Sequence, residues 1–194
     1  MRAIIQSLRR DHLEIEELLR ILEQECELFR QAERPDYELL GETVDYFQSF
    51  LSQVYYPKEN ILLDLTRMRN AECAGLVDDL AAERAAATSC LRDLQQALRD
   101  VLNEQRVLRQ SFDDAARGFI QHQRRQVAME QQLLSAARSV LAPADWTDLN
   151  ARLRDRKASL RSQRIEERLR AEQHRIVEKS MADQAERGEP EQTL

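Results

Sequence analysis

The chain has 194 residues, a formal net charge of −6 and a sequence pI near 5.3. Proteins that bind nucleic acids present a basic surface, and the net charge of this chain is acidic, so we do not expect a nucleic-acid partner. No window reaches the roughly 18–20 apolar residues that span a bilayer, and the charged start MRAIIQSLRRDHLEIEE does not resemble a signal peptide. Together these features predict a cytoplasmic protein.

The composition predicts an all-α fold. Glycine and proline number only four each, and 33% of the residues are charged. Leu, Glu, Arg, Gln and Ala dominate, and these residues lose little on entering a helix. Helix-breaking and capping residues delimit five predicted helices, at about residues 1–31, 36–68, 72–108, 111–141 and 145 into the 180s.

Several residues mark the expected helix ends. Pro35 closes the first connection, and Pro57 should bend the second helix because it removes one backbone hydrogen bond. Ser111 with Asp114 three residues later is typical of a capping box at the start of the fourth helix. Pro143 lies where the first turn of a helix tolerates proline.

Apolar residues recur at alternating steps of three and four in each of the first four helices, which is typical of helices packed along a common seam. We predict an up-down-up-down four-helix bundle over residues 1–142. An extra, long, charged helix is predicted for residues 143–185, followed by a disordered tail over 186–194. The three cysteines are odd in number and widely spaced, which predicts free thiols at Cys26, Cys73 and Cys90.

Each seam is interrupted by polar residues near its middle. In an antiparallel bundle the midpoints of helices of similar length lie at a similar height, so these side chains should meet in one internal layer. A buried polar group without a partner is costly, so the layer must be internally satisfied, hydrated or filled by a metal. The residues concerned are His12, Tyr55, Glu59, Arg84, Gln126 and Glu130.

The same stretches resemble the hemerythrin-like (HHE cation-binding) family over roughly residues 1–150. The similar segments are RRDHLEIEELLRILE, DYFQSFLSQVYYPKENILL, DDLAAERAAATSCLRDLQQAL, FIQHQRRQVAMEQQLL and LAPADW. The resemblance implies a helical bundle that holds iron through several histidines and bridging carboxylates. By position it implies that His12, Glu59 and Glu130 match iron ligands.

Other family ligands are replaced. Where the family pattern has two adjacent histidines, the chain has Tyr55 and Tyr56 before an intact Pro-Lys-Glu. Arg84 follows Glu83 where a histidine is usual, and Gln126 takes the place of a histidine four residues before glutamate. A guanidinium stays protonated and cannot bind a metal. We therefore hypothesise that the guanidinium bridges the two retained glutamates, with Gln126, His12 and a tyrosine hydroxyl satisfying the remaining polar atoms.

The resemblance and the replaced ligands leave two candidate functions. The first is a non-enzymatic interaction or regulatory module that needs no cofactor. The alternative is a mono- or di-nuclear iron protein that binds or senses dioxygen, oxidants or iron through His12, Glu59 and Glu130, with His122 or Tyr55 as an auxiliary ligand. A carboxylate di-iron enzyme is not expected, because no Glu-x-x-His spacing occurs.

The C-terminal region offers a partner surface. Its arginines and lysine crowd one helix against few acids, and its apolar residues are spaced irregularly. Such a helix lies along the bundle, binds a protein partner or second copy to form a dimer, or meets an anionic partner. We expect a protein partner or self-association. The cations are Arg152, Arg154, Arg156, Lys157, Arg161, Arg164, Arg168 and Arg170.

Overall fold

Helices account for nearly all of the described chain, which comprises residues 2–69, 73–103 and 109–188 of a computed structural model. No strand occurs within these residues, so the all-α prediction is confirmed. A π-helical turn, Leu51–Tyr55, joins the second and third helices. The helices are α1 (Arg2–Arg30), α2 (Tyr37–Phe50), α3 (Tyr56–Arg69), α4 (Cys73–Leu102), α5 (Arg109–Val140), α6 (Pro143–Ala158) and α7 (Leu160–Gly188).

The bundle consists of α1, the α2–α3 pair, α4 and α5. Aromatic contacts at one end show how the helices meet: the ring centroids of Phe29 and Phe112 are 4.7 Å apart, and those of Phe47 and Phe119 are 5.1 Å apart. All four rings are buried. Helices α1 and α5 run antiparallel, which brings the early residues of α1 beside the late residues of α5.

The second predicted helix starts and is interrupted for clear local reasons. The Asp36 side chain caps α2 by accepting hydrogen bonds from the backbone N–H groups of Glu38 (2.8 Å) and Leu39 (3.0 Å). Pro57 has no N–H to return to the Gln53 carbonyl four residues earlier. The π-helical turn lies immediately before this proline, and the Arg156 guanidinium of α6 donates to the Gln53 carbonyl at 2.5 Å. The C-terminal region thus supports the irregular turn.

Two predicted helix ends differ from the structure. Ser111 is not an N-cap, because α5 already begins at Arg109. Helix α4 ends at Leu102, whereas the sequence predicted helix up to residue 108. Residues 104–108 lie outside the described part of the chain. The three cysteines are free thiols, as predicted.

The sequence predicted one extra C-terminal helix over residues 143–185, and the structure has two helices there, α6 and α7. The helix breaks at Ser159, whose backbone is extended (φ −69°, ψ 131°), and α7 folds back onto the bundle. There Leu169 and Ile176 are fully buried. The break allows α7 to bury this apolar face, which a straight continuation would leave in water. Helix α7 continues to Gly188, so residues 186–188 are not disordered; residues 189–194 are not among those described.

Candidate functional site

The polar residues of the four seams meet in one layer of the bundle. His12 comes from α1, Tyr55 from the π-helical turn, and Glu59 from the first turn of α3. Arg84 reaches in from α4, while α5 supplies both Gln126 and Glu130, which lie one turn apart. All of these side chains are buried except that of Arg84, which is 19% exposed.

Glu130 is the centre of the hydrogen-bond network. The Tyr55 hydroxyl donates to Glu130 Oε2 at 2.5 Å, and His12 Nε2 lies 2.9 Å from the same oxygen. The Gln126 amide donates to Glu130 Oε1 at 3.0 Å. Burial lowers the pKa of His12, which favours the neutral imidazole with its proton on Nε2. Three neutral donors therefore stabilise one buried carboxylate.

The Arg84 guanidinium lies against the other glutamate. Its Nη2 forms an ion pair with Glu59 Oε2, and its Nη1 donates to Asn60 Oδ1 at 2.7 Å. Its Cζ atom is 4.3 Å from the centroid of the Tyr56 ring, in a cation–π contact. The expected bridge across both glutamates is therefore made only to Glu59. The hydrogen bonds to Glu130 come from His12, Tyr55 and Gln126.

Burial in one layer raises the pKa values of both glutamates. Burial and the nearby charge of Glu130 raise the pKa of Glu59, and burial also raises the pKa of Glu130. Each carboxylate disfavours ionisation of the other, so the pair takes up a proton more readily than two isolated glutamates would. Among the described residues, Glu59 Oε1 has no hydrogen-bond partner. The Arg84 guanidinium supplies the positive charge beside these two carboxyl groups.

The raised pKa of Glu59 makes the stability of the protein depend on pH. The raised pKa of Glu59 contributes stability that is present below its unfolded value of 4.5 and is lost as pH rises through the folded value. A glutamine at position 59 does not titrate, so for Glu59→Gln we expect a smaller fall in the free energy of unfolding between pH 5 and pH 9. Urea unfolding across this range measures it. Asp79→Asn, which alters an exposed carboxyl of α4, should keep the wild-type slope.

A second buried ion pair adjoins the layer, and the sequence analysis did not find it. Lys58 Nζ lies 2.5 Å from Asp11 Oδ2, and both side chains are buried. These residues directly precede Glu59 and His12 in sequence, so the helices bring both pairs together. A small cavity of about 50 Å³ lies beside the pair, and Leu169 of α7 is one of the residues that line it. The only sequence signal was that each residue precedes a predicted site residue.

Gln123 is another functional candidate that the sequence analysis missed. Its side chain is fully buried on α5, one turn before Gln126. Neither its amide oxygen nor its amide nitrogen has a hydrogen-bond partner among the described residues. The Arg84 Nε atom is also buried without a partner there. Buried polar atoms of this kind are normally satisfied by ordered water.

His122 does not join the layer. Its Nδ1 lies 2.6 Å from Glu83 Oε1, and its side chain is 29% exposed. Arg125 approaches the same glutamate at 3.4 Å. The predicted auxiliary ligand therefore belongs to a separate surface cluster between α4 and α5.

The buried Tyr55 hydroxyl offers a direct test of the network. Tyr55→Phe removes the donor to a buried carboxylate, and we expect the free energy of unfolding to fall by about 2 kcal/mol. Tyr46→Phe is the matched control, because Tyr46 is also a buried tyrosine and its ring stacks on Phe50. Chemical denaturation of both variants measures the difference. Equal losses would show that the hydroxyl of Tyr55 contributes nothing specific.

The fold and site define a four-helix bundle closed around a buried, charged layer to which all four helices contribute. The family model described as the hemerythrin HHE cation binding domain matches residues 3–137. The chain therefore belongs to the hemerythrin HHE cation-binding family. Comparisons with curated proteins and with solved structures gave no significant match.

The side chains of the layer do not fit the iron centre that the family implies. They offer one imidazole, which is hydrogen-bonded to Glu130, and a guanidinium lies on Glu59. Imidazole nitrogens suit iron, whereas a guanidinium cannot ligate and its charge repels a cation. Within the described residues, no group of three or more His, Cys, Asp or Glu side chains is placed to hold a metal ion.

Proposed function

We propose that the chain is a non-enzymatic interaction or regulatory module of the hemerythrin family, in which an arginine–carboxylate core takes the place of the iron centre. The observation that carries this proposal is the ion pair between Arg84 and Glu59 in the buried layer. The guanidinium supplies, from within the chain, the positive charge that a bound cation would give to two buried carboxyl groups.

The arrangement of the layer supports a structural role for it. Tyr55 and Gln126 are fully buried, and their polar groups are used on Glu130. Groups committed to one another in this way have little capacity to bind and turn over a substrate. The layer then determines how the helices of the bundle pack, and the residues that carry the function lie on the surface. We propose a protein partner or self-association through the C-terminal residues.

Metal content tests the proposal most directly. The full chain is expressed in iron-supplemented medium and purified without chelator, and iron, zinc and manganese are measured per chain. We expect substoichiometric metal in a folded, helical protein, because Arg84 repels cations from Glu59. The double substitution Arg84→His and Gln126→His restores two imidazoles, so we expect it to raise the iron content.

The second candidate function is iron binding. The observation that favours it is the convergence of His12, Glu59 and Glu130, with one oxygen of Glu59 lacking a donor. Near-stoichiometric iron in the wild-type protein, lost on His12→Ala, would establish this function and overturn the first. A protein of this kind would bind or sense dioxygen, an oxidant or iron.

The two candidates assign different roles to His12. In the first it donates a hydrogen bond to Glu130 and binds no metal. The substitution His12→Gln keeps a donor of similar reach, so we expect it to preserve the fold without changing the metal content. An iron protein would instead lose its metal in this variant.

A further inference from the structure

The junction between α6 and α7 is broken at a single residue, yet no residue there forces a break. Ser159 alone leaves the helical conformation, and neither glycine nor proline lies between Pro143 and Gly188. The local sequence RDRKASLRSQRIEE consists mainly of good helix formers. Local preference therefore favours one continuous helix, and tertiary packing favours the bend.

Two features hold the bent form. The Ser159 hydroxyl accepts a hydrogen bond from the backbone N–H of Ser162 at 3.1 Å, which makes Ser159 the N-cap of α7. The first residue of α7, Leu160, is 72% exposed and is not held by packing. The Ser159 hydroxyl also donates to the Ser162 hydroxyl at 2.8 Å. The junction is therefore fixed by the hydrogen bonds of the Ser159 side chain and by the docking of the helix that follows it.

The docking surface of α7 is long and specific. On its apolar side, Leu169 and Ile176 are buried against the bundle. Polar contacts follow along the helix: Gln173 donates to Glu17 at 3.0 Å, Lys179 to Glu38 at 2.7 Å, and Gln184 to Gln24 at 2.9 Å. A groove of α1 and α2 that matches α7 over this length would accept α7 from any copy of the chain equally well.

We propose that Ser159 is a hinge and that two copies of the chain exchange α7. In each copy α6 and α7 straighten into one helix, and α7 docks in the α1–α2 groove of the other copy. Every contact of α7 with the groove is made again across the two copies, and the helix gains the hydrogen bonds lost at the break. This inference specifies the partner and surface of the self-association proposed above, and it rests on that proposal.

Substitutions at the hinge separate the bent and straight forms. Proline is favoured at the first position of a helix, and the extended backbone of Ser159 suits a residue that precedes proline. Leu160→Pro is therefore compatible with the bent chain, but it interrupts a continuous helix. Leu160→Ala removes the same exposed side chain and leaves both forms available. Ser159→Ala removes the cap and favours the straight form.

The oligomeric state gives the first measurement. Light scattering coupled to size exclusion is carried out on the full chain over a concentration series. We expect wild type and Leu160→Ala to form dimers with rising concentration, Ser159→Ala to dimerise at lower concentration, and Leu160→Pro to remain monomeric. Dimers of Leu160→Pro equal to those of wild type would overturn the proposal. So would monomers of both wild type and Ser159→Ala throughout the series.

Cross-linking shows whether α7 is exchanged. The exposed contact between Gln24 and Gln184 joins α1 to α7, so cysteines at both positions are bridged by a short bis-maleimide. In an exchanged dimer the bridge links two chains, and in the Leu160→Pro background it stays within one chain. The chain without introduced cysteines gives the background. Isolated dimers with bridges only inside single chains would overturn the exchange.

The outcome is independent of the test of the polar core. A protein that lacks metal but remains monomeric would support the arginine–carboxylate core and contradict the exchange of α7. A metal-loaded protein that exchanges α7 would contradict the proposed core and support the self-association. The two failures are therefore distinguishable in the same preparations.

Discussion

Replacing Arg84 with alanine is expected to lower the free energy of unfolding by about 3 kcal/mol, because it removes one partner of a buried ion pair. The loss falls on the buried carboxyl groups of Glu59 and Glu130, whose negative charge the guanidinium balances. Tyr56 also loses its cation–π contact. Urea unfolding at pH 7 measures the change.

A matched control separates burial from ion pairing as such. Arg67 forms an ion pair with Asp78, but the two side chains are 48% and 67% exposed. Exposed pairs are screened by solvent, so Arg67→Ala should change the free energy of unfolding by about 0.5 kcal/mol or less. Adding Glu59→Gln to Arg84→Ala should restore part of the loss, since it removes a titratable group from the layer. Equal effects of Arg84→Ala and Arg67→Ala would contradict a charged core.

The membership of the polar layer was predictable from sequence because it depends on helix periodicity alone. His12, Arg84 and Gln126 interrupt regular apolar seams, and antiparallel helices of similar length place such interruptions at one height. The i,i+4 spacing of Gln126 and Glu130 also predicted their direct contact, which the structure has at 3.0 Å. Helix periodicity and i,i+4 spacing can be read from the sequence without knowing which of several partners each side chain contacts.

The pairing within the layer was not predictable, because it depends on fractions of a turn. Arg84 contacts Glu59, Asn60 and the Tyr56 ring, which all lie on one turn of α3. Glu130 accepts its hydrogen bonds from other side chains. A sequence pattern places side chains on a face of a helix, but it does not set the helix rotation that decides between two carboxylates 71 positions apart.

The break at Ser159 was missed for a different reason. The sequence around it favours helix, and only the burial of Leu169 and Ile176 in the α1–α2 groove rewards the bend. Tertiary packing here overrides local propensity. Residues of α7 also line the cavity beside the Lys58–Asp11 pair. The C-terminal helix α7 therefore forms part of the surroundings of the buried Lys58–Asp11 pair.

Lys58→Met is expected to lower the free energy of unfolding by about 3 kcal/mol, because it takes the ammonium from a carboxylate that is itself buried. The two charged groups are 2.5 Å apart and their side chains are only 6% and 8% exposed. Methionine keeps most of the length and apolar contact of the lysine stem, so the loss reports on charge. Chemical denaturation at pH 7 measures it, with Lys179→Met as the control.

The control matches Lys58 in chemistry and differs in burial. Lys179 pairs with Asp36 and Glu38 at the surface of α7, where its side chain is 26% exposed. We expect Lys179→Met to lower the free energy of unfolding by about 1 kcal/mol or less. In a double-mutant cycle, Asp11→Asn should be much less harmful in the Lys58→Met background than in wild type. Additive losses would show that the pair is not coupled, and the second buried ion pair would then contribute no specific stability beside the polar layer.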